Sequence, residues 1–178
     1  MSWCTLCHVS RRDNEQQDGQ SSRQNQIAEA LVRMKRTAGA AESLTGGNIS
    51  AALSATEGAS DWFLGGVVAY AEEIKYALLG VDRGPVINAR TALQMAEGVA
   101  RLLDADFAVA TTGVGGPAAQ EDVPQGTVYV AVVTPNRSDV REYRFDGDPG
   151  EVVAQSTRQA LDDLAAAVAL RPADAPRA

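Results

Sequence analysis

The stretch Thr37-Ala38-Gly39-Ala40-Ala41-Glu42-Ser43-Leu44-Thr45-Gly46-Gly47-Asn48 decides how the rest of the chain is read. The small apolar run from Thr37 predicts a short strand over 37–42. Ile49, Ala52 and Leu53 then recur at helical spacing, which predicts a helix over 46–56. Between them stand a serine, a threonine and two glycines, the composition of a strand-to-helix turn. A serine on such a turn presents its hydroxyl beside the first N–H groups of the helix, which lack intrahelical partners. That setting suits a nucleophile or an anion. The plainer reading is a helix cap, in which Ser43 or Thr45 accepts a backbone N–H and the glycines only make room.

Outward from this turn, strands and helices alternate. Ile27, Ala30, Leu31 and Met34 predict a helix over 25–36. Trp62 to Tyr70 is apolar and β-branched, a strand weakened by Gly65 and Gly66. Glu72 to Leu79 is helical and stops at Gly80. Leu93, Ala96, Val99, Ala100 and Leu103 share one face of a helix over 88–104. Phe107 to Thr111 reads as a buried strand, and Gly113 to Gln125 as a long Gly/Pro loop. Two strands follow, Thr127–Val133 and Val140–Phe145, divided by the turn signal Pro135-Asn136-Arg137-Ser138. Asp148-Pro149-Gly150-Glu151 opens a last helix that runs to about Ala169; Asp148 is placed to cap it and Glu151 completes a capping-box spacing. The alternation predicts an α/β domain, and the closing strand pair predicts a mixed sheet.

Composition bounds the function. A chain of 178 residues, 45% hydrophobic and 22% charged, predicts one globular domain. Residues 1–24 are polar and without period and read as a disordered tail; the domain covers 25–170, and 171–178 is a frayed Pro/Ala-rich end. Sixteen basic against twenty-three acidic residues give a net charge of −7, and no basic stripe stands out, so nucleic acid is not an expected partner. No apolar run approaches the roughly 20 residues that span a bilayer, and no apolar signal segment opens the chain, which predicts a cytoplasmic protein that binds no membrane. The Ala-rich last helix offers a face for a second copy, so a homo-oligomer is compatible with the sequence. Cys4-Thr5-Leu6-Cys7-His8 has the letters of a haem-attachment motif, but haem attachment needs export and zinc needs four ligands; Cys4, Cys7 and His8 are the chain's whole supply of Cys and His. A solvated tail is the better reading, and no metal is expected. The lone histidine also excludes a Ser-His-Asp triad in the core.

Two further segments carry chemistry. Tyr70 ends a predicted strand and Lys75 lies in the first turns of the next helix. A half-buried tyrosine and a solvated lysine are the ordinary outcome. If Lys75 turns back over the sheet edge, burial lowers its pKa and lets it take a proton from Ser43, as Ser-Lys pairs do in unrelated hydrolases. Thr111-Thr112-Gly113-Val114-Gly115-Gly116-Pro117 follows a buried strand, at the end where open α/β sheets bind ligands. Its glycines permit close backbone approach, and it is no dinucleotide fingerprint because it opens no helix.

Taken in order, Ser43 with its glycines, the Tyr70…Lys75 spacing in "VVAYAEEIKYALLGV", and "TTGVGGP" followed by "GTVYVAV" resemble the C-terminal domain of the competence/damage-inducible CinA proteins, also found alone as nicotinamide mononucleotide deamidase. The resemblance covers about residues 26 to 168. It implies a three-layer α/β/α sandwich and the stand-alone form of the family. It also implies hydrolysis of the carboxamide of nicotinamide mononucleotide to nicotinic acid mononucleotide and ammonia, without a metal or other cofactor. Ser43 then matches the nucleophile, Lys75 its base, and Tyr70 and Thr112 the polar residues that orient pair and substrate. An oxyanion site is also needed, and the candidate substrate-binding positions are Thr45, Gly46 and Gly47 on one side and Gly113, Gly115 and Gly116 on the other.

The chain departs from the family at one charged segment. Members usually read Gly-Asp-Arg with an arginine four residues on, and here those positions are Pro149 and Val153. Removing a single charge-assisted hydrogen bond costs roughly 1.5–3 kcal/mol. Arg141, Arg144 and Arg158 are the candidate replacements. The stretch "AAQED" before Pro124 and the segment "GPVINAR" also differ from the usual pattern. Two alternatives to the deamidase follow: a catalytically impaired nucleotide-binding or interaction module, and an amidase with a different substrate.

Overall fold

The computed structural model describes residues 11–169, with side chains from residue 23 onward. The Cys4–His8 motif and the Arg171–Ala178 end lie outside the described residues. Among the described residues, five strands form one sheet: β1 Ala38–Glu42, β2 Phe63–Val68, β3 Phe107–Gly113, β4 Thr127–Val133 and β5 Ser138–Arg144. Five α-helices of the described residues accompany them: α1 Arg11–Met34, α2 Asn48–Ser54, α3 Glu72–Leu79, α4 Ala89–Leu103 and α5 Pro149–Ala169. The strand order is β2-β1-β3-β4-β5. β1 is parallel to both β2 and β3, whereas β3–β4 and β4–β5 are antiparallel, so the sheet is mixed as expected.

The period of two along each strand sorts its side chains between two cores. Ala38 and Ala40, Val109, and Val128, Val130 and Val132 pack with α1, α2 and α5 through Ile27, Leu31, Leu53 and Leu161. Ala41, Ala108, Ala110 and Ala131 face α4 and α3 through Met95, Val99 and Leu79. The result is the α/β/α sandwich. β1 is wholly buried because helices cover both its faces and strands flank both its edges. Its small residues let those layers close in: a Cβ on Gly39 would lie 2.9 Å from Leu103 Cδ1. Gly66 in β2 has the same cause, since a Cβ there would lie 2.0 Å from Ser50 Oγ on α2.

Gly98 is the tightest helix–helix contact of this kind. A Cβ at Gly98 would stand 2.1 Å from the Leu79 carbonyl oxygen at the end of α3. Backbone cannot swing aside as a side chain can, so Gly98→Ala is expected to lower stability by about 1–3 kcal/mol despite alanine's better helix propensity. Chemical denaturation checks this; a variant as stable as the parent would show that α3 and α4 slide freely.

Several boundaries differ from expectation. The segment 11–24, expected as a disordered tail, is helical and continuous with the amphipathic part of α1. It holds no proline, a single glycine, and good helix formers among its Arg, Gln and Glu residues, whose propensity does not need an apolar stripe. β2 is shorter than Trp62–Tyr70: Trp62 is fully buried behind a 3-10 turn at Ala59–Asp61, and Tyr70 lies beyond the strand. α2 begins at Asn48 because Gly46 and Gly47 adopt φ of 61° and 105°, in the left-handed region that favours glycine. β5 starts at Ser138, since Thr134 and Arg137 close the turn by an N–H···O bond of 2.9 Å. The capping box at α5 is present in both directions: Asp148 Oδ1 accepts from Glu151 N–H at 2.9 Å, and Glu151 Oε2 from Asp148 N–H at 2.8 Å.

Candidate active site

Because β1, β2 and β3 are parallel, their carboxyl ends meet at one edge of the sheet, where α/β folds place ligands. Ser43 follows β1 directly, and its N–H continues the ladder by donating to the Thr111 carbonyl at 3.1 Å. That bond sets Ser43 beside the end of β3. A cavity of about 570 Å3 opens there, within the roughly 300–1,000 Å3 usual for small-molecule sites. Ser43, Tyr70, Lys75, Thr112, Gly113, Gly115 and Gly116 all line it.

Lys75 is the chemically unusual member. Its side chain turns inward from α3 and is only 2% exposed. Nζ donates to the carbonyls of Ala69 at 2.8 Å and Tyr70 at 3.1 Å. Burial holds its amine below the ordinary lysine value, and the carboxylates of Glu72 and Glu121 pull it part of the way back. A neutral amine has two N–H groups and one lone pair, so two carbonyls satisfy its donors completely; an ammonium would carry a third N–H. No hydrogen bond joins Lys75 Nζ to Ser43 Oγ, although both line the cavity.

The remaining residues take less expected places. Tyr70 contributes its backbone: the residue is 74% exposed, and its carbonyl is one of the two that hold Lys75. Thr112 is buried, and its hydroxyl donates to the Val86 carbonyl at 2.8 Å. Thr45, Gly46 and Gly47 are not among the cavity-lining residues. Thr45 is spent on a 2.9 Å bond between its hydroxyl and that of Thr111.

Glu42 explains the glycine turn, a role that the sequence pattern does not announce. Its carboxylate is fully buried under the N-terminus of α2. It accepts from the N–H groups of Gly47 at 3.0 Å, Ile49 at 3.0 Å and Ser50 at 2.8 Å, and from the Ser50 hydroxyl at 2.6 Å. The helix-terminal donors expected to stand unpaired beside Ser43 are therefore occupied by the protein's own anion. The Gly46 N–H bonds the Ser43 carbonyl, and the Asn48 N–H the Thr45 carbonyl. Among the described residues, the Leu44 and Thr45 N–H groups retain no acceptor. Of these, Leu44 lines the cavity and is the donor the turn can offer an oxyanion, in place of Gly46 and Gly47.

Glu121 plays a matching part across the cavity. Its carboxylate accepts from the N–H groups of Val86 and Ile87 at 2.9 Å, which pins the glycine loop to the segment before α4. Both it and Asp122 hold positive φ, 51° and 61°. Pro149 and Val153, at the start of α5, also line the cavity. None of the three arginines considered as replacements does. Arg141 pairs with Asp139 and the buried Asp163, and Arg144 with Glu142 and the Thr127 hydroxyl. Among the described residues, no cluster of His, Cys, Asp and Glu is arranged to hold a metal, and no helix is long and apolar enough to cross a membrane.

Comparison with known proteins agrees with this architecture. The family model described as CinA C-terminal domain matches residues 20–168. A CinA-like protein of Frankia casuarinae is 41% identical over 137 residues, 74% of this chain and 32% of that protein. A putative competence-damage inducible protein of Desulforamulus reducens is 39% identical over 140 residues, 76% of this chain and 34% of that protein. The chain thus spans about a third of the length of these relatives. The crystal structure of the competence damage-inducible protein A (ComA) from Klebsiella pneumoniae superposes with a TM-score of 0.81 at 31% identity, covering 85% of this chain and 98% of that one. That of the competence/damage inducible protein CihA from Agrobacterium tumefaciens gives 0.79 at 31% identity, over 84% and 95%. With the family model matching nearly all of the folded part and relatives near 40% identity, the chain belongs to the CinA C-terminal domain family.

Proposed function

We propose that this chain is a serine amidohydrolase that releases ammonia from the carboxamide of a pyridine nucleotide or nucleoside, of which nicotinamide mononucleotide is the substrate implied by family resemblance. The observation that carries the reading is a buried lysine with two acceptors for its N–H groups, sharing a cavity with a serine that ends a strand. Ser43 Oγ attacks the carboxamide carbon and gives its proton to the Lys75 lone pair. Lys75 returns that proton to the departing nitrogen, so ammonia leaves and an acyl-serine remains. Water, deprotonated by the same amine, then releases the acid and restores the serine. The developing oxyanion has the Leu44 N–H within the same turn, and Leu44 lines the cavity.

Ammonia release from nicotinamide mononucleotide and nicotinamide riboside, followed enzymatically with purified protein, tests the reading. Absence of release from either between pH 6 and 9 overturns it. A binding module without turnover is the second reading, favoured by the lack of a direct bond between Ser43 and Lys75; ligand binding by calorimetry with no ammonia formed would establish it.

The base works only when neutral, so the rate must rise with pH through the Lys75 pKa. Glu72 is one of the two carboxylates that raise that value. Glu72→Gln is therefore expected to move the acid limb of the kcat/KM profile to lower pH. A limb that stays in place would mean that another group is being titrated.

A further inference from the structure

We infer that the cavity accepts a pyridinium carboxamide without its 5′-phosphate in preference to the phosphorylated form. This rests on the amidohydrolase reading for the chemistry, but on a separate set of observations for the preference.

A phosphate needs N–H donors at a helix terminus or cationic side chains. Two helices begin at the cavity wall, α3 with Glu72 and α5 with Pro149, and each carries a carboxylate in its first turn. At α3 the first turn holds Glu72 and Glu73, and Glu72 itself lines the cavity. At α5, Pro149 has no N–H, Asp148 Oδ1 takes the Glu151 N–H, and the Asp148 carbonyl takes the Val152 N–H. An entering phosphate would meet a carboxylate at each.

The charged lining points the same way. Among the described residues, Lys75 is the cavity's one cationic side chain, and its Nζ is already engaged by two carbonyls. Glu72 and Glu121 line the same space. The part of the lining contributed by α5 is Pro149 and Val153, which offer apolar contact and no donor. Two carboxylates favour a cationic pyridinium ring and repel a dianion. Volume does not discriminate, since about 570 Å3 admits either form. Charge does.

The test uses Ser43→Ala protein, so that binding is read without turnover, titrated calorimetrically with nicotinamide riboside and with nicotinamide mononucleotide. The riboside is expected to bind about tenfold or more tightly than the mononucleotide, with native kcat/KM ordered the same way. Val153→Arg, which places a cation at the start of α5, is expected to reverse the order. Equal binding, or tighter binding of the mononucleotide, overturns the inference while leaving the amidohydrolase reading intact if native protein releases ammonia. Preferential riboside binding without any ammonia supports the inference and rejects the chemistry. Binding of neither at millimolar concentration rejects both.

Discussion

Lys75→Met is expected to slow carboxamide hydrolysis by about 10²–10⁴-fold, the range that a positioned general base contributes. Methionine fills nearly the same volume, so the walls of the cavity keep their shape, while the proton acceptor is lost together with the two hydrogen bonds to the Ala69 and Tyr70 carbonyls. Ser43→Ala should be at least as damaging, because without its oxygen no acyl intermediate forms. The double variant should be no slower than the worse single one, since a nucleophile and its base act as a unit. Additive losses, or an unaffected Lys75→Met, would remove the amine from the mechanism. Stability gives an independent readout. The folded-state pKa of Lys75 lies below its unfolded value, so the unfolded chain binds more protons in the window between them. This group's contribution to stability is greatest above the ordinary lysine value, falls as pH drops through that window, and levels off below the depressed value. Lys75→Met abolishes that dependence, so thermal melts should show the variant gaining on the parent as pH falls.

Glu42→Ala is expected to destabilise the fold by about 3–5 kcal/mol, through several buried donors left unsatisfied at about 1–3 kcal/mol each. The carboxylate serves three backbone N–H groups and one hydroxyl with no exposure to water, so no solvent replaces it. For a domain of this size the melting temperature should drop by about 10 °C. Glu42→Gln keeps the shape but turns one oxygen into an amide NH2 that faces N–H donors, and its stability should fall between those of the parent and Glu42→Ala. Urea denaturation measures both. A loss under about 1 kcal/mol in Glu42→Ala would mean that the α2 N-terminus finds other acceptors.

Much of this arrangement is legible in the chain. Apolar periodicity places the strands and the amphipathic helices within a few residues, and the Asp148–Glu151 capping box can be read from its spacing alone. The cavity gathers Ser43, Lys75, Thr112, Gly113, Gly115 and Gly116, residues that residue type and spacing single out without any knowledge of their proximity. What the sequence hides is the bonding of backbone groups. Glu42 looks like the polar end of a strand because its partners are N–H groups that no letter encodes. The signal available is its position: a carboxylate closing a run of small apolar residues, five residues before the N–H of Gly47. Glu121 is hidden for a similar reason, since its partners Val86 and Ile87 lie 35 and 34 residues away. Tyr70 draws attention through its phenol, yet its carbonyl does the holding. The helical segment from Arg11 to Gln24 gives no periodic signal because local propensity, unlike a core-facing surface, leaves no apolar stripe.

The double fastening of the serine turn, to β3 through the Ser43 N–H and to α2 through Glu42, has a thermodynamic corollary. The conformational entropy of that turn is surrendered when the chain folds, not when a ligand arrives. Affinity therefore loses little to ordering on this side of the cavity, and any adaptation to different guests falls to the opposite wall, where Glu121 ties the glycine loop to Val86 and Ile87.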